Sequence, residues 1–330
     1  IFLQADTVYA YAVGRIRVNE KKLLDKTRLD RMLDAKTADD AVKVLAEAGF
    51  GFTDKEASDA LAYEKLLDEE LTGLFSLIKE IAPDPAVFDI FLLNNDYHNL
   101  KVLLKSEFSG INNDNILVEA GTIPVDKLKL LYKERRLSEI PEIMRNAVEE
   151  CLDVYNRTKD PQMIDVIMDK AAYKHMVQNA KQYNIAFIED LLKIMIDLAN
   201  IKTWFRIKKT TKTADFASKV IIDGGSISPD FYISNLSEPA ENFIHQLQKT
   251  KYAKVADRGR ISFTDMEKSA DDFIMSYVKS NKLKPLGIEP IVGYIIARLT
   301  DIKNARIIMV GKINNLANDI IRERLRETYV

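Results

Sequence analysis

Three copies of one short polar pattern set the strongest limit on this fold: Asp96-x-x-Asn99-x-Lys101, Asp197-x-x-Asn200-x-Lys202 and Asp301-x-x-Asn304-x-Arg306. They stand about 100 residues apart, the length of one small domain, so the chain reads as a tandem of similar units. The apolar positions repeat with them. Counting from each Asp, the next position holds Tyr97, Leu198 or Ile302, the fourth Leu100, Ile201 or Ala305, and the eighth Leu104, Phe205 or Met309. That spacing makes one apolar stripe on a helix, with Asp and Asn on one flank and the basic residue on the other. Asp and the basic residue therefore each look to a neighbouring helix or to solvent for a partner, and Asp and Asn are expected to make interhelical polar contacts that fix register.

Most of the remaining sequence predicts helix as well. Thr37 with Asp40, Thr53 with Glu56 and Thr264 with Glu267 have the spacing of helix-start capping boxes, and Asp160 precedes Pro161 at a further start. Leu61 to Ile81 and Glu139 to Tyr155 are amphipathic runs without internal breakers, whereas alternating β-branched runs with tight glycine turns are scarce. The fold class predicted is all-α. Breaks fall at residues 82–85, 110–115, 208–213, 224–225 and 284–287. A second repeated element, Gly121-Thr122-Ile123-Pro124 and Gly225-Ser226-Ile227-Ser228-Pro229, opens a new helix after the first two pattern helices. Ending each unit after its pattern helix divides the chain into helical units 1–110, 111–214 and 215–330.

The chemistry the chain lacks narrows its function. Of 330 residues, 47% are hydrophobic and 30% charged, with a formal net charge of −2, so the basic excess of a nucleic-acid binder is missing. Cys151 is the only cysteine, which excludes an internal disulfide and a thiolate zinc site and fits a reducing compartment; the opening residues lack a signal-peptide layout. The most apolar stretch, Phe187 to Phe205, is interrupted by Glu189, Asp190, Lys193 and Asp197, so no transmembrane span is expected. Gly311-Lys312 is followed by Ile313 and has Arg306 where a phosphate-binding loop needs its first glycine. His98, His175 and His245 are scattered, and Asp271-Asp272 reads as an exposed first helical turn that suits the helix dipole. No catalytic residue, metal ligand or cofactor site is expected. The cluster Arg206, Lys208, Lys209, Lys212 and Lys219 reads as an exposed charged linker, the alternative being contact with a partner or with anionic lipid headgroups.

Residues at both ends and in the middle carry a resemblance. Tyr9-Ala10-Tyr11-Ala12-Val13-Gly14-Arg15-Ile16-Arg17 is similar to the opening of the C-type subunits of A/V-type rotary ATPases, relatives of the eukaryotic d-type subunits, although Val13 and Gly14 replace the usual Asn and Ala. Asn95 to Lys101 resembles that family's central segment. Ile288-Glu289-Pro290, Asp301 to Ile308, Gly311-Lys312 and Leu325 to Val330 resemble its C-terminus. The resemblance implies three similar domains in a pseudo-threefold funnel with a central cavity. It also implies a non-catalytic central-stalk protein on the cytoplasmic face of the membrane. Such a protein links shaft subunits of the D and F type to the membrane rotor ring and transmits torque for ATP-coupled proton or sodium transport. On that reading Arg15, Lys101, Lys202 and Arg306 line or support the shaft-binding surface. The alternative is a helical-repeat adaptor unrelated to rotary motors; a helical enzyme would need converging titratable groups that the sequence does not offer.

Overall fold

The computed structural model describes residues 7–50, 63–209 and 214–330. Among them are sixteen α-helices and no β-strand: α1 (Ala10–Asn19), α2 (Lys26–Asp34), α3 (Ala38–Glu47), α4 (Tyr63–Ile81), α5 (Leu93–Ser109), α6 (Val125–Lys133), α7 (Glu142–Thr158), α8 (Gln162–Tyr183), α9 (Ala186–Lys208), α10 (Ala214–Val220), α11 (Pro229–Ser234), α12 (Ala240–Leu247), α13 (Ala253–Ile261), α14 (Phe263–Ser280), α15 (Glu289–Ile313) and α16 (Asn318–Arg324). The all-α expectation holds. The three pattern segments lie on α5, α9 and α15.

Two compact units emerge, one formed by residues 1–85 with 258–330 and the other by residues 86–257. In the first unit α15 is the central helix, packed on α1, α2, α3, α4, α14 and α16. Leu29, Met32, Leu33, Val42, Leu45 and Leu67 meet Ile302, Ala305, Ile308 and Met309 of α15 in one buried cluster. The opening helices thus close over the last pattern helix because its apolar stripe needs a cover. In the second unit α8 packs on α5, α7, α9 and α10. Trp204 of α9 is fully buried there, its ring 3.7 Å from Phe243 and its indole N–H donated to the Tyr232 carbonyl at 3.1 Å.

Local signals account for several helix ends. Thr37 caps α3 by accepting the Asp40 N–H at 3.1 Å, and Asp160 accepts the Gln162 N–H at 2.9 Å where α8 begins. Gly110 ends α5 in the left-handed conformation, φ 70°, which a residue without a Cβ adopts freely. α14 corrects one expectation: it starts two residues earlier than Thr264 suggests, with Ser262 accepting the Asp265 N–H at 2.9 Å and donating to the Asp265 carboxylate at 2.5 Å. The Thr53 and Glu56 signal and Lys212 lie outside the described residues.

Candidate functional site

Each pattern helix uses its Asp and Asn to grip backbone. On α5, Asn99 donates its amide to the Val118 carbonyl and accepts the Val118 N–H, both at 2.9 Å. On α9, Asn200 does the same to Ile222 at 2.7 and 2.8 Å, and on α15 Asn304 does it to Arg326 at 3.1 and 2.8 Å. A carboxamide carries donor and acceptor in the geometry of a peptide, so it pairs with an extended segment as a neighbouring strand would. Only Asn or Gln has both groups, and Asn is short enough to do this from a fully buried helix face.

The Asp residues secure the loop that enters the next helix. Asp96 accepts the Thr122 N–H at 3.0 Å, the Thr122 hydroxyl at 2.6 Å and the Ile123 N–H at 3.2 Å. Asp197 accepts the Ser226 N–H at 3.1 Å, the Ser226 hydroxyl, the Ile227 N–H at 3.0 Å and the Tyr252 hydroxyl at 2.7 Å. Asp301 accepts the Leu24 N–H at 3.0 Å. Ile123, Ile227 and Leu24 each stand two residues before the first residue of the helix that follows, α6, α11 and α2 respectively. The third grip is therefore equivalent to the first two, but its loop comes from the opposite end of the chain.

That exchange of segments changes the chemistry. Leu23 stands where Thr122 and Ser226 supply a hydroxyl, and Arg298, one turn before Asp301, takes over. Its guanidinium lies 3.4 Å from Asp301, donates to the Lys22 carbonyl at 3.2 Å, pairs with Glu70 and covers the Phe50 ring at 4.6 Å. Burial pushes the Asp301 carboxyl up to about 7 against the pull of Arg298 and the Leu24 N–H. Asp96 is likewise raised by burial, opposed by its bonds from Thr122 and Ile123.

All six Asp and Asn side chains are buried, at most 2% exposed. Their hydrogen-bond partners are mainly loop and tail backbone instead of neighbouring helices. The apolar stripe is buried with them. The glycines at the start of both Gly-Ile-Pro turns have a reason: a Cβ at Gly121 would stand 2.3 Å from Asp96 Oδ1, and one at Gly225 2.2 Å from Asp197 Oδ1. Gly121→Ala and Gly225→Ala should each cost about 1–3 kcal/mol, because the carboxylate must move off its backbone donors to make room. Thermal unfolding checks this, and unchanged melting of both variants would refute the close approach.

The four basic candidates divide between the two compact units. Arg15 donates to the Tyr11 hydroxyl at 2.7 Å and lies 3.2 Å from Glu80. Lys101 pairs with Asp169 at 2.8 Å, and Arg306 forks onto Glu64 at 2.9 to 3.2 Å. Lys202 is half-buried on α9. Arg15 and Arg306 belong to the first compact unit, Lys101 and Lys202 to the second.

Other polar residues singled out by the sequence have structural partners. Asp271 and Asp272 sit in the third turn of α14, not in its first: Asp271 holds Lys303 at 2.5 Å and Arg326 at 2.8 Å, and Asp272 accepts the Glu327 N–H at 2.7 Å. They tie the C-terminal tail to α14, and Lys303 and Arg326 hold the Asp271 carboxyl below its usual range despite its burial. Lys312 caps the end of α2 at the Leu33 and Ala35 carbonyls, the second at 2.8 Å, a cation at a helix C-terminus. Lys208 reaches the Leu236 and Glu238 carbonyls at 2.7 and 2.6 Å, so part of the charged cluster is structural. His98 bonds the Ile116 carbonyl at 2.8 Å, and buried His175 faces the Tyr97 hydroxyl at 3.2 Å. Among the described residues no three His, Cys, Asp or Glu side chains come together to hold a metal, and no helix is long and apolar enough to cross a membrane. Arg298 and Leu24 belong to no motif that marks them in the sequence. Arg298 lies on the same helix face as Asp301, three residues before it, and that spacing is the available signal.

Comparison with known proteins places residues 12–324 on the family model described as ATP synthase (C/AC39) subunit. The chain is 28% identical to the C subunit of the A-type ATP synthase of Methanocaldococcus jannaschii, over 96% of this chain and 86% of that protein. It is 26% identical to the C subunit of the V-type sodium ATPase of Enterococcus hirae, over 95% of this chain and 97% of that one. With the C subunit of the A-type ATP synthase of Pyrococcus furiosus it shares 23% identity over 97% of this chain and 90% of the relative.

Proposed function

The chain belongs to the ATP synthase (C/AC39) subunit family, and on that basis we propose that it is the non-catalytic coupler of a rotary A/V-type ATPase. In this reading it sits peripherally on the cytoplasmic face of the membrane and links D- and F-type shaft subunits to the rotor ring, passing torque between them during ATP-coupled proton or sodium transport. The near full-length family match carries this reading. The buried grips support it physically. A coupler under torque must not yield between its helices, and a helix anchored to neighbouring loops by buried charge-assisted and paired amide bonds resists sliding.

The same grips suggest three repeat units, and we assign the third a closing role for the N-terminal segment: Leu24 does for α15 what Ile123 and Ile227 do for α5 and α9. The shaft would rest against these units, with Arg15, Lys101, Lys202 and Arg306 at or beneath the contact. A shaft carboxylate pairing with Arg15, Lys101 or Arg306 would have to displace Glu80, Asp169 or Glu64.

The direct experiment asks whether the purified chain binds the D- and F-type subunits of its own organism, and whether adding it lets the soluble ATPase head dock on membranes that contain the rotor ring. Docking that depends on the chain supports the coupler; a folded chain that neither binds nor docks returns the protein to the helical-adaptor class. Charge reversal at Arg15 and Lys202 together should weaken shaft binding about tenfold at low salt and about twofold at ~0.5 M salt. Equal affinity of the variant and the native chain at both salts would remove these residues from the interface.

A further inference from the structure

A trough in the second compact unit borders the Asn200 grip, with which it shares Ile222. It has a volume of about 1100 Å³ and runs between α7 and α8, closed at one side by the segment from Lys219 to Gly224. Half-buried Val154, Met163, Val166 and Val177 make it apolar. Its charged lining is unbalanced: Arg157, Lys170, Lys174, Lys181 and Lys219 face only Glu150 and Asp223, in a chain whose formal net charge is −2. Arg157 has an ion pair with Asp153 at 2.6 Å. For the four lysines no carboxylate lies within ion-pair distance among the described residues, and Lys170 is also half-buried.

We propose that this trough is a docking groove for an acidic amphipathic helix of another protein, whose apolar face fills the floor and whose Glu or Asp side chains meet the lysine row. The groove has this character whether or not the chain is a coupler. Shape and charge both argue for a helix. The α8 lining extends from Met163 to Lys181, about 27 Å at 1.5 Å per residue, and therefore matches about five helical turns. Lys170, Lys174 and Lys181 are spread along that length, so they suit charges repeated on a helix face rather than a single phosphate headgroup, which needs convergent donors. No aromatic ring lines the trough among the described residues, so nucleic-acid bases find no stacking platform.

The test uses the full chain and two fluorescein-labelled 18-residue peptides with the same leucine face, one carrying Glu and the other Lys on the opposite face, read by fluorescence anisotropy. The acidic peptide should bind at least tenfold more tightly than the basic one. The Lys170→Glu, Lys174→Glu double variant should lose at least tenfold, and Val177→Asp should weaken binding as well, while Arg136→Glu in the turn after α6 should leave it unchanged. Trp204 fluorescence verifies that each variant is folded. Equal binding of the two peptides, or affinity insensitive to the lysine reversals, overturns the proposal. So does loss of binding to phosphatidylglycerol vesicles in the double variant when the acidic peptide fails to bind the native chain, a result that would assign the groove to lipid.

Discussion

Asp197→Ala should lower the stability of the second compact unit by about 3–5 kcal/mol, since it leaves buried donors without an acceptor. Three of its four donors, the Ser226 N–H, the Ile227 N–H and the Tyr252 hydroxyl, are held at 2.7 to 3.1 Å, and the carboxylate itself is fully buried. A charged acceptor with several donors is stronger than any one bond suggests, and its removal also opens a cavity beside the apolar stripe. Burial and the adjacent Asp197 carboxylate both hold the Tyr252 hydroxyl in its protonated, donating form. Trp204 is the only tryptophan of the chain and lies two turns along the same helix, so urea unfolding followed by its fluorescence reads this region directly. A loss below about 1 kcal/mol would mean that water replaces the carboxylate at little cost, and the grip would not be the stiffening device proposed.

Arg298→Met is expected to cost a comparable amount in the first unit, and its cost should depend on pH. Removing one partner of a buried charge cluster leaves the others uncompensated, worth about 3–5 kcal/mol. The sign of the pH effect follows from Asp301. In the native chain its carboxyl is pushed up to about 7 by burial, whereas in the unfolded chain it titrates near its ordinary value of 3.8. Between those values the folded state holds a proton that the unfolded state has released, so this group's contribution to stability is fully present below about pH 4 and is lost as pH rises through about 7. Without Arg298 the carboxyl rises further, and the loss continues to higher pH. The variant should therefore be destabilised more at pH 8 than at pH 6, with faster amide exchange at Leu24, whose N–H depends on Asp301. Equal destabilisation at both values would show that Asp301 is not the group left uncompensated.

Much of the local structure was legible. The period of the apolar residues placed α5, α9 and α15, and Thr37, Asp160 and Gly110 acted as helix boundaries because capping depends on residues only a few positions away. One start was displaced: Thr264 with Glu267 has the capping-box spacing, but the folded chain begins α14 after Ser262, which accepts the Asp265 N–H. Asp271-Asp272 looked like a first turn because Asp suits the positive end of a helix dipole, but its two carboxylates serve a tail more than fifty residues away.

Residue order alone was enough to define an all-helical chain with three equivalent polar anchors, since helical period, spacing and repetition are properties of neighbouring residues. It also identified the Gly-Ile-Pro turns as partners in the repeat. What the anchors hold became visible only in the folded chain. Asn pairs with backbone like a short piece of strand, Asp fixes a helix entry, and for Asp301 that entry belongs to Leu24 at the far end of the chain. Burial is the physical reason: once the stripe closes on its neighbours, each polar group must find a complementary partner wherever the fold brings one, and distance along the chain no longer matters.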